Sequence, residues 1–321
     1  MTAATRTDLY PTRVTGEAIA QTRLDPTVWG DHEEPLSQQE RDRYESNGYH
    51  VFDNLLTPQE VETYRAELQR LSEDPVLLAS DRVVLEPDSD RLRSVFEVEK
   101  VSELFAALLN SPRLMDVARQ VLGSDVYVHQ SRVNYKPGFG GAEFDWHSDF
   151  ETWHAEDGMP RPRAFSVSIA LSENYEFNGP LMVMPGTHKT FIPSVGETPL
   201  DFHKESLRVH RITVGSPGQE HLSRMAHEHG IKQIAGPAGS AVMFDSNLLH
   251  GSNGNITPFS RSNIFIVYNS VENALEEPFA AALPRPQHLG PLERHRLRPA
   301  GEPGQCRLRR RSGHHRLPDG G

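Results

Sequence analysis

Two histidines and one aspartate in this chain could hold a single metal ion. His147 and Asp149 are two residues apart in Phe144-Asp145-Trp146-His147-Ser148-Asp149-Phe150. In an extended strand, residues two apart project to the same side. An imidazole and a carboxylate from one short segment then reach one ion, and a distant histidine must complete the set. His250 is placed to supply it, just before the turn Gly251-Ser252-Asn253-Gly254. Two His and one carboxylate on one face of an ion leave the other face open, which is the ligand set of non-haem Fe(II) oxygenases. A His-x-Asp triplet arises often by chance. Here Phe144, Trp146, Phe150 and Trp153 surround it, which suits a half-buried site.

A second feature gives the open face a purpose. Arg261 follows His250 at the start of a strand-like run. A buried arginine beside a metal is a natural clamp for a remote carboxylate, because its fork binds carboxylates bidentately. Such a site suits 2-oxoglutarate, with one carboxylate and the keto oxygen on the iron and the other carboxylate on Arg261. O2 would take the last position, and the products would be succinate, CO2 and a hydroxylated substrate. A carboxylate ligand at Asp149 leaves no vacancy for a halide, so hydroxylation is expected over halogenation. The other histidines, among them His154, His188, His227 and His229, lack such support and are expected to be structural or exposed.

The elements that must position these groups follow from the pattern. Ser37-Gln38-Gln39-Glu40 is a capping box opening a short polar helix that exits at Asn47-Gly48. Tyr49 to Phe52 reads as a strand. Thr57-Pro58 opens a helix with Val61, Tyr64, Leu68 and Leu71 on its apolar face. Two further helices are expected, over 101–109 and 111–122. After Gly123 the period changes to two, and 126–136, 164–171, 181–184, 240–245 and 261–268 read as strands. This order predicts a mainly β fold with flanking α-helices, a double-stranded β-helix (a jelly roll of cupin type). Alternation along 126–136 puts Val126, Val128, Gln130, Arg132, Asn134 and Lys136 on one face. Four consecutive polar positions there predict a strand lining a polar cavity.

Composition sets the outer limits. The chain has 321 residues and a net charge of −11, which disfavours general nucleic-acid binding. No run of about 18 apolar residues offers a membrane span, and no apolar signal core opens the chain, so a cytoplasmic protein is expected. The single cysteine, Cys306, rules out an internal disulfide framework. From Pro284 to Gly321, nine Arg against three acids give +6, leaving −17 for the remainder. That tail is rich in Pro and Gly and shows no period. The expected organisation is an irregular arm over 1–36, a catalytic domain over 37–283 and a disordered basic tail over 284–321.

These motifs carry a resemblance. His147-x-Asp149, the distal His250 with Arg261, and Asn178-Gly179-Pro180-Leu181-Met182-Val183-Met184-Pro185-Gly186-Thr187-His188 resemble the phytanoyl-CoA dioxygenase superfamily. The longer string Gln130-Ser131-Arg132-Val133-Asn134-Tyr135-Lys136-Pro137-Gly138, followed by Phe144 to Arg161, is similar to the branch that hydroxylates ectoine. The similarity ends near Pro286. It implies iron at His147, Asp149 and His250. It implies 2-oxoglutarate contacts at Lys136 and Arg261, with Asn134, Ser168 and Asn263 as further ones, and ectoine contacts at Gln130, Trp153 and Phe244. Arg132 beside Gln130 offers donors to a substrate carboxylate. The resemblance also implies a homodimer and a role in osmotic stress protection.

Two other readings compete. One is the same chemistry on another small polar molecule, such as an amino acid. The other is a metal-binding jelly roll that binds a ligand without turnover. A second carboxylate clamp at Arg261 argues against the latter.

Overall fold

The structure, a computed structural model, describes residues 7–31, 34–87, 89–207 and 214–290. Its helical layer begins with α1 (Gln38–Asn47), opened by the Ser37/Glu40 capping box and closed by Gly48 in a left-handed conformation. α2 (Pro58–Glu73) starts at Thr57 and buries Val61, Tyr64, Leu68 and Leu71, the predicted stripe. α3 (Pro75–Leu78), α4 (Val98–Val101), α5 (Glu103–Leu109) and α6 (Pro112–Leu122) complete the layer. The single helix expected over 101–109 is broken at Ser102. That residue is extended, and its hydroxyl caps α5 by accepting from the Phe105 N–H.

The strands are β1 (Gln21–Thr22), β2 (Tyr49–Phe52), β3 (Val83–Leu85), β4 (Leu92–Phe96), β5 (Val126–Lys136), β6 (Phe144–His147), β7 (Ala164–Ala170), β8 (Leu181–Val183), β9 (Thr190–Phe191), β10 (Lys232–Ile234), β11 (Ala241–Asp245), β12 (His250–Ser252) and β13 (Arg261–Ser270). The major sheet runs β2-β11-β7-β13-β5-β4-β3 and the minor sheet β10-β8-β12-β6, all antiparallel. The five runs expected as strands are strands, and the architecture is the expected jelly roll with helices on one side.

Alternation divides the side chains of the major sheet. Ile264, Ile266 and Tyr268 of β13, with Val167 and Ile169 of β7, pack on the helices. Phe265 and Val267 point the other way, joining Phe150, Trp153, Val183 and Phe244 between the sheets. Arg261 and Asn263 share the parity of Phe265, so the two-residue period aims them at the same interior.

β5 departs from strict alternation. Its register against β13 shifts between Val267 and Tyr268, leaving His129 without a partner residue. A bulge of this kind inverts the facing of everything beyond it. Val126 and Val128 therefore pack with Val133 and Tyr135 against the helices, not on the cavity face where unbroken alternation puts them. Gln130, Arg132 and Asn134 keep the expected face and line the cavity.

Both ends of the described chain are more engaged than composition suggests. Tyr10 in the N-terminal arm is fully buried and packs edge-on against Phe150 and Phe191, with centroids 5.1 and 5.2 Å apart. The arm is irregular as expected, apart from the short β1, yet it belongs to the core. Disorder from 284 onward is corrected over 284–290. There Leu289 is 1% exposed, and Arg285 forms a two-bond pair with Asp157. Local composition averages over single residues, so one buried leucine and one paired arginine were invisible to it. Residues 291–321 lie outside the described residues.

Candidate metal centre and active site

The site is built where β6 meets β12. His250 lies directly opposite His147 in the antiparallel register, and their rings are 4.2 Å apart. Asp149 is not on that strand. β6 ends at His147, and extended Ser148 caps α7 (Asp149–Thr152), with its hydroxyl accepting from the Glu151 N–H. The two-residue spacing still works because Ser148 is extended, but the carboxylate comes from the first turn of a helix. His147 Nε2 is 3.7 Å from Asp149 Oδ1, and His250 Nε2 is 3.9 Å from Asp149 Oδ2. One ligand atom from each of the three lies within 4.8 Å of the others.

Local bonds prepare these groups for a cation. His147 Nδ1 donates to the Asp145 carbonyl at 2.7 Å and His250 Nδ1 to the Leu248 carbonyl at 3.0 Å. A carbonyl can only accept, so each Nδ1 keeps its proton and each Nε2 offers a lone pair. Burial and the neighbouring His147 push His250 down to about 4, which keeps it neutral. Burial alone would raise the Asp149 carboxyl, but His250, His147 and Arg132 outweigh it and hold it well below the usual carboxylate range. The Ser166 hydroxyl donates to Asp149 Oδ2 at 3.0 Å and fixes its orientation. Burial works to lower His147, but Asp149 outweighs it and raises it, so a divalent iron ion between the two Nε2 atoms and the ionised Asp149 would take the place of a proton.

The metal set opens into a cavity with about 140 Å³ of free space. That suits small molecules, and Gln130, Arg132, Asn134 and Arg261 give one side of its lining polar and charged groups. Gln130, Arg132, Asn134, Trp153, Ser168, Arg261 and Asn263 all line it, as expected from the sequence. Lys136 and Phe244 are not among the lining residues and stand directly behind them. The Lys136 ammonium donates to Ser252 Oγ at 2.9 Å and the Asn253 carbonyl at 2.6 Å, reaching the cavity only through Ser252. Phe244 is fully buried, with its ring 4.7 Å from that of His250.

The cavity has two chemically distinct ends, set by position along β5. Gln130 and Lys136 are six residues apart on it, roughly 20 Å at ~3.3 Å per residue. At the far end Arg261, registered opposite Lys136, is buried. Its Nε has no hydrogen-bond partner, and among the described residues no carboxylate pairs with it. Burial lowers it to about 10, and it still holds a proton at neutral pH. Burial likewise lowers Arg132 to about 10, its guanidinium 4.1 Å from the Phe265 ring centre. A buried guanidinium with an unused donor is a receptor for an anion. The side chains of Asn263 and Ser168 are bonded to each other at 2.8 Å beside it.

The near end is formed by a turn of π-helix, Trp153–Asp157, continuing α7. It carries Trp153 and Glu156 into the cavity wall. Asp157 accepts from Arg285 and faces His129 Nε2 at 3.2 Å. Gln130 is fully engaged, donating to the Leu289 carbonyl at 2.7 Å and accepting from Arg132 at 2.6 Å. Among the wall residues missed in the sequence are Glu156, Ser252 and Arg285. Glu156 and Ser252 lay within quoted motifs without a role. Arg285 lay in the segment set aside as tail.

Comparison with known proteins matches this picture. The ectoine dioxygenase of Nocardia farcinica is 58% identical over 286 residues, covering 89% of this chain and 94% of the relative. That of Streptomyces coelicolor is 55% identical, covering 88% and 95%. The crystal structure of EctD from S. alaskensis with 2-oxoglutarate and 5-hydroxyectoine superposes with a TM-score of 0.80 at 44% identity, covering 91% of this chain and 100% of that one. The same protein with bound Fe gives 0.81. The phytanoyl-CoA dioxygenase model matches residues 44–263, a span holding the three metal ligands and Arg261, and the chain belongs to that family.

Proposed function

We propose that this protein hydroxylates ectoine to 5-hydroxyectoine, using Fe(II), 2-oxoglutarate and O2 and releasing succinate and CO2. The observation that carries the reading is the two-ended cavity. It has an unpaired buried arginine at one end, the His-Asp-His set in the wall, and an aromatic pocket with Arg132 and Arg285 at the other. Bound there, iron and 2-oxoglutarate supply the oxidation of an unactivated C–H bond. The chain supplies position. His147, Asp149 and His250 hold the metal. Arg261 takes the remote carboxylate of 2-oxoglutarate, beside Asn134, Ser168 and Asn263.

Ectoine is a small zwitterion with a cyclic amidinium and a carboxylate. The face of Trp153 suits the delocalised cation. Arg285 and Arg132 are the donors available to the carboxylate. The aromatic walls from Phe144, Trp153 and Phe265 exclude bulk water around the reacting carbon. A cytoplasmic location, homodimeric assembly and a part in compatible-solute metabolism belong to the same reading.

The direct test is incubation with Fe(II), ascorbate, 2-oxoglutarate and ectoine. Mass spectrometry should find ectoine heavier by one oxygen, with succinate in matching amount. Succinate release stimulated by a small amino acid and not by ectoine would move the substrate while keeping the chemistry. No substrate-stimulated succinate at all would leave only a binding protein.

A further inference from the structure

We propose that Arg13, on the N-terminal arm, is a positioning residue for the substrate end of the site: it clamps the π-helical turn that carries Trp153 and keeps Glu156 from drawing Arg285 away. The inference rests on the functional reading above for its choice of substrate.

The contacts are specific. Arg13 Nε donates to Glu151 Oε1 at 2.8 Å, and Nη2 donates to Glu151 Oε2 at 3.1 Å and Glu156 Oε1 at 3.0 Å. Thr12 Oγ1 adds a bond to Glu151 Oε1 at 2.6 Å. The ion-pair side chains are only 2% and 4% exposed. Arg13 also sits in the left-handed region, at φ 56, which a non-glycine residue adopts at a cost. Such a conformation persists where surrounding bonds over-determine it, and it gathers at functional sites.

The two acceptors explain why one arginine suffices. Glu151 lies in α7 and Glu156 in the π-turn that continues it, five residues on, and Arg13 reaches both carboxylates. The π-turn is wider and intrinsically poorer than an α-turn, so it needs help from outside. Gly158 closes it, where an added Cβ would strike the Glu276 carbonyl. Arg13 stands behind the cavity wall. A Cβ on Gly215, which lines the cavity, would meet Arg13 Nη2 at 3.2 Å. Gly215 is tied through Ser194 Oγ, and Ser194 through Thr12 Oγ1, at 2.8 and 2.9 Å. The arm thus joins α7 and the π-turn to the adjoining wall at Gly215.

Charge gives Arg13 its second task. Glu151, Glu156 and Asp157 are all buried within seven residues. Two arginines divide them: Arg13 holds the two glutamates and Arg285 holds Asp157. Arg285 and Arg13 are the two cations whose charge reaches Glu156. With Arg13 gone, Glu156 is left with Arg285. Arg285 would be drawn toward it, off Asp157 and out of register with an incoming carboxylate.

The test uses the full chain with Fe(II) and compares Arg13→Gln, Arg13→Lys and the double variant Arg13→Gln/Glu156→Gln. The readouts are KM and kcat for ectoine, the ratio of succinate to hydroxylated product, 2-oxoglutarate binding followed by the visible absorption of its iron complex, and melting temperature. Arg13→Gln should raise the ectoine KM about tenfold or more and produce succinate in excess, while 2-oxoglutarate affinity stays within about twofold. Lysine keeps the charge but not the fork, so Arg13→Lys should fall between. Removing the Glu156 charge in the double variant should recover most of the ectoine KM.

Parallel loss of ectoine and 2-oxoglutarate binding with a lowered melting point would make Arg13 merely structural and overturn the proposal. So would an unchanged ectoine KM in folded Arg13→Gln, or no recovery in the double variant. If Arg13→Gln does not fold, Arg13→Lys carries the test by the same criteria. Native protein that fails to act on ectoine overturns the functional reading and this inference together. Native turnover with unresponsive variants overturns this inference alone.

Discussion

Replacing Arg261 by methionine should leave the metal-free protein at least as stable while nearly abolishing co-substrate binding. The two halves follow from one observation. Arg261 is buried, its Nε lacks a partner, and burial lowers it from its ordinary value to about 10. At ~1.36 kcal/mol per pH unit, that drop corresponds to about 3 kcal/mol of desolvation borne by the folded protein. Methionine relieves this cost and fills much of the same volume, so stability should stay within about 1 kcal/mol of native or rise above it. An arginine in a structural ion pair behaves oppositely, and its loss costs about 3–5 kcal/mol. Binding is the converse. A buried charge pair with the distal carboxylate is worth on the order of 2–5 kcal/mol, or roughly 30-fold to several thousand-fold in affinity. Arg261→Lys should recover part of it, keeping the charge without the fork. Urea unfolding of the metal-free variants and 2-oxoglutarate titration of the Fe(II)-loaded ones give both numbers. A variant destabilised by about 3 kcal/mol or more with native 2-oxoglutarate affinity would refute the reasoning.

Three further outcomes are expected. Alanine at His147, Asp149 or His250 should each eliminate stoichiometric iron in metal analysis, whereas Ser166→Ala should weaken retention without eliminating it; full iron in all three ligand variants would remove the triad. Truncation after Pro286 deletes Leu289 and the carbonyl that Gln130 and Arg285 bond, so it should lower the melting temperature and raise the ectoine KM. Truncation after Gly290 should change neither, and equal behaviour of the two cuts would dismiss the 284–290 strap. The strap should also respond to acid: burial works to raise Asp157, but Arg285 and His129 outweigh it and lower it from 3.8. A depressed carboxylate contributes its stability in full above its unfolded value of ~3.9 and loses it as pH falls through the folded value. Hydrogen exchange over 285–290 should therefore stay slow down to about pH 5 and quicken only below about 4, with Asp157→Asn flattening the profile.

The parts of the site that were legible in the sequence are those carried by residue type. His147, Asp149, His250 and Arg261 are chemically distinctive, and strand parity was enough to aim Gln130, Arg132 and Asn134 inward. The helices with caps and full apolar stripes were legible for the same reason. What was lost depends on single events that periodicity averages out. One unpaired residue, His129, inverts the face of Val126 and Val128. One extra residue per turn makes Trp153–Asp157 a π-helix, and no spacing rule announces it. Lys136 has cavity parity, but its long side chain reaches Ser252 and Asn253 instead. Arg13 and Arg285 are ordinary arginines in segments without pattern, and only the buried acids of the π-turn, far off in sequence, give them meaning.

The strap has a consequence for how the protein is made. Chain synthesis delivers the metal ligands at 147–250 and the co-substrate clamp at 261 before Arg285 and Leu289. A released chain that ends between Ser270, the last residue of β13, and Arg285 would keep the proposed metal ligands and co-substrate clamp and lack the wall proposed to fix the substrate. Such a product would burn co-substrate and oxidise itself in place of ectoine. Messenger truncations that end the chain between 271 and 284 should thus be more harmful to a cell than ones falling earlier, where β13 is incomplete, or beyond 290, where the wall is closed.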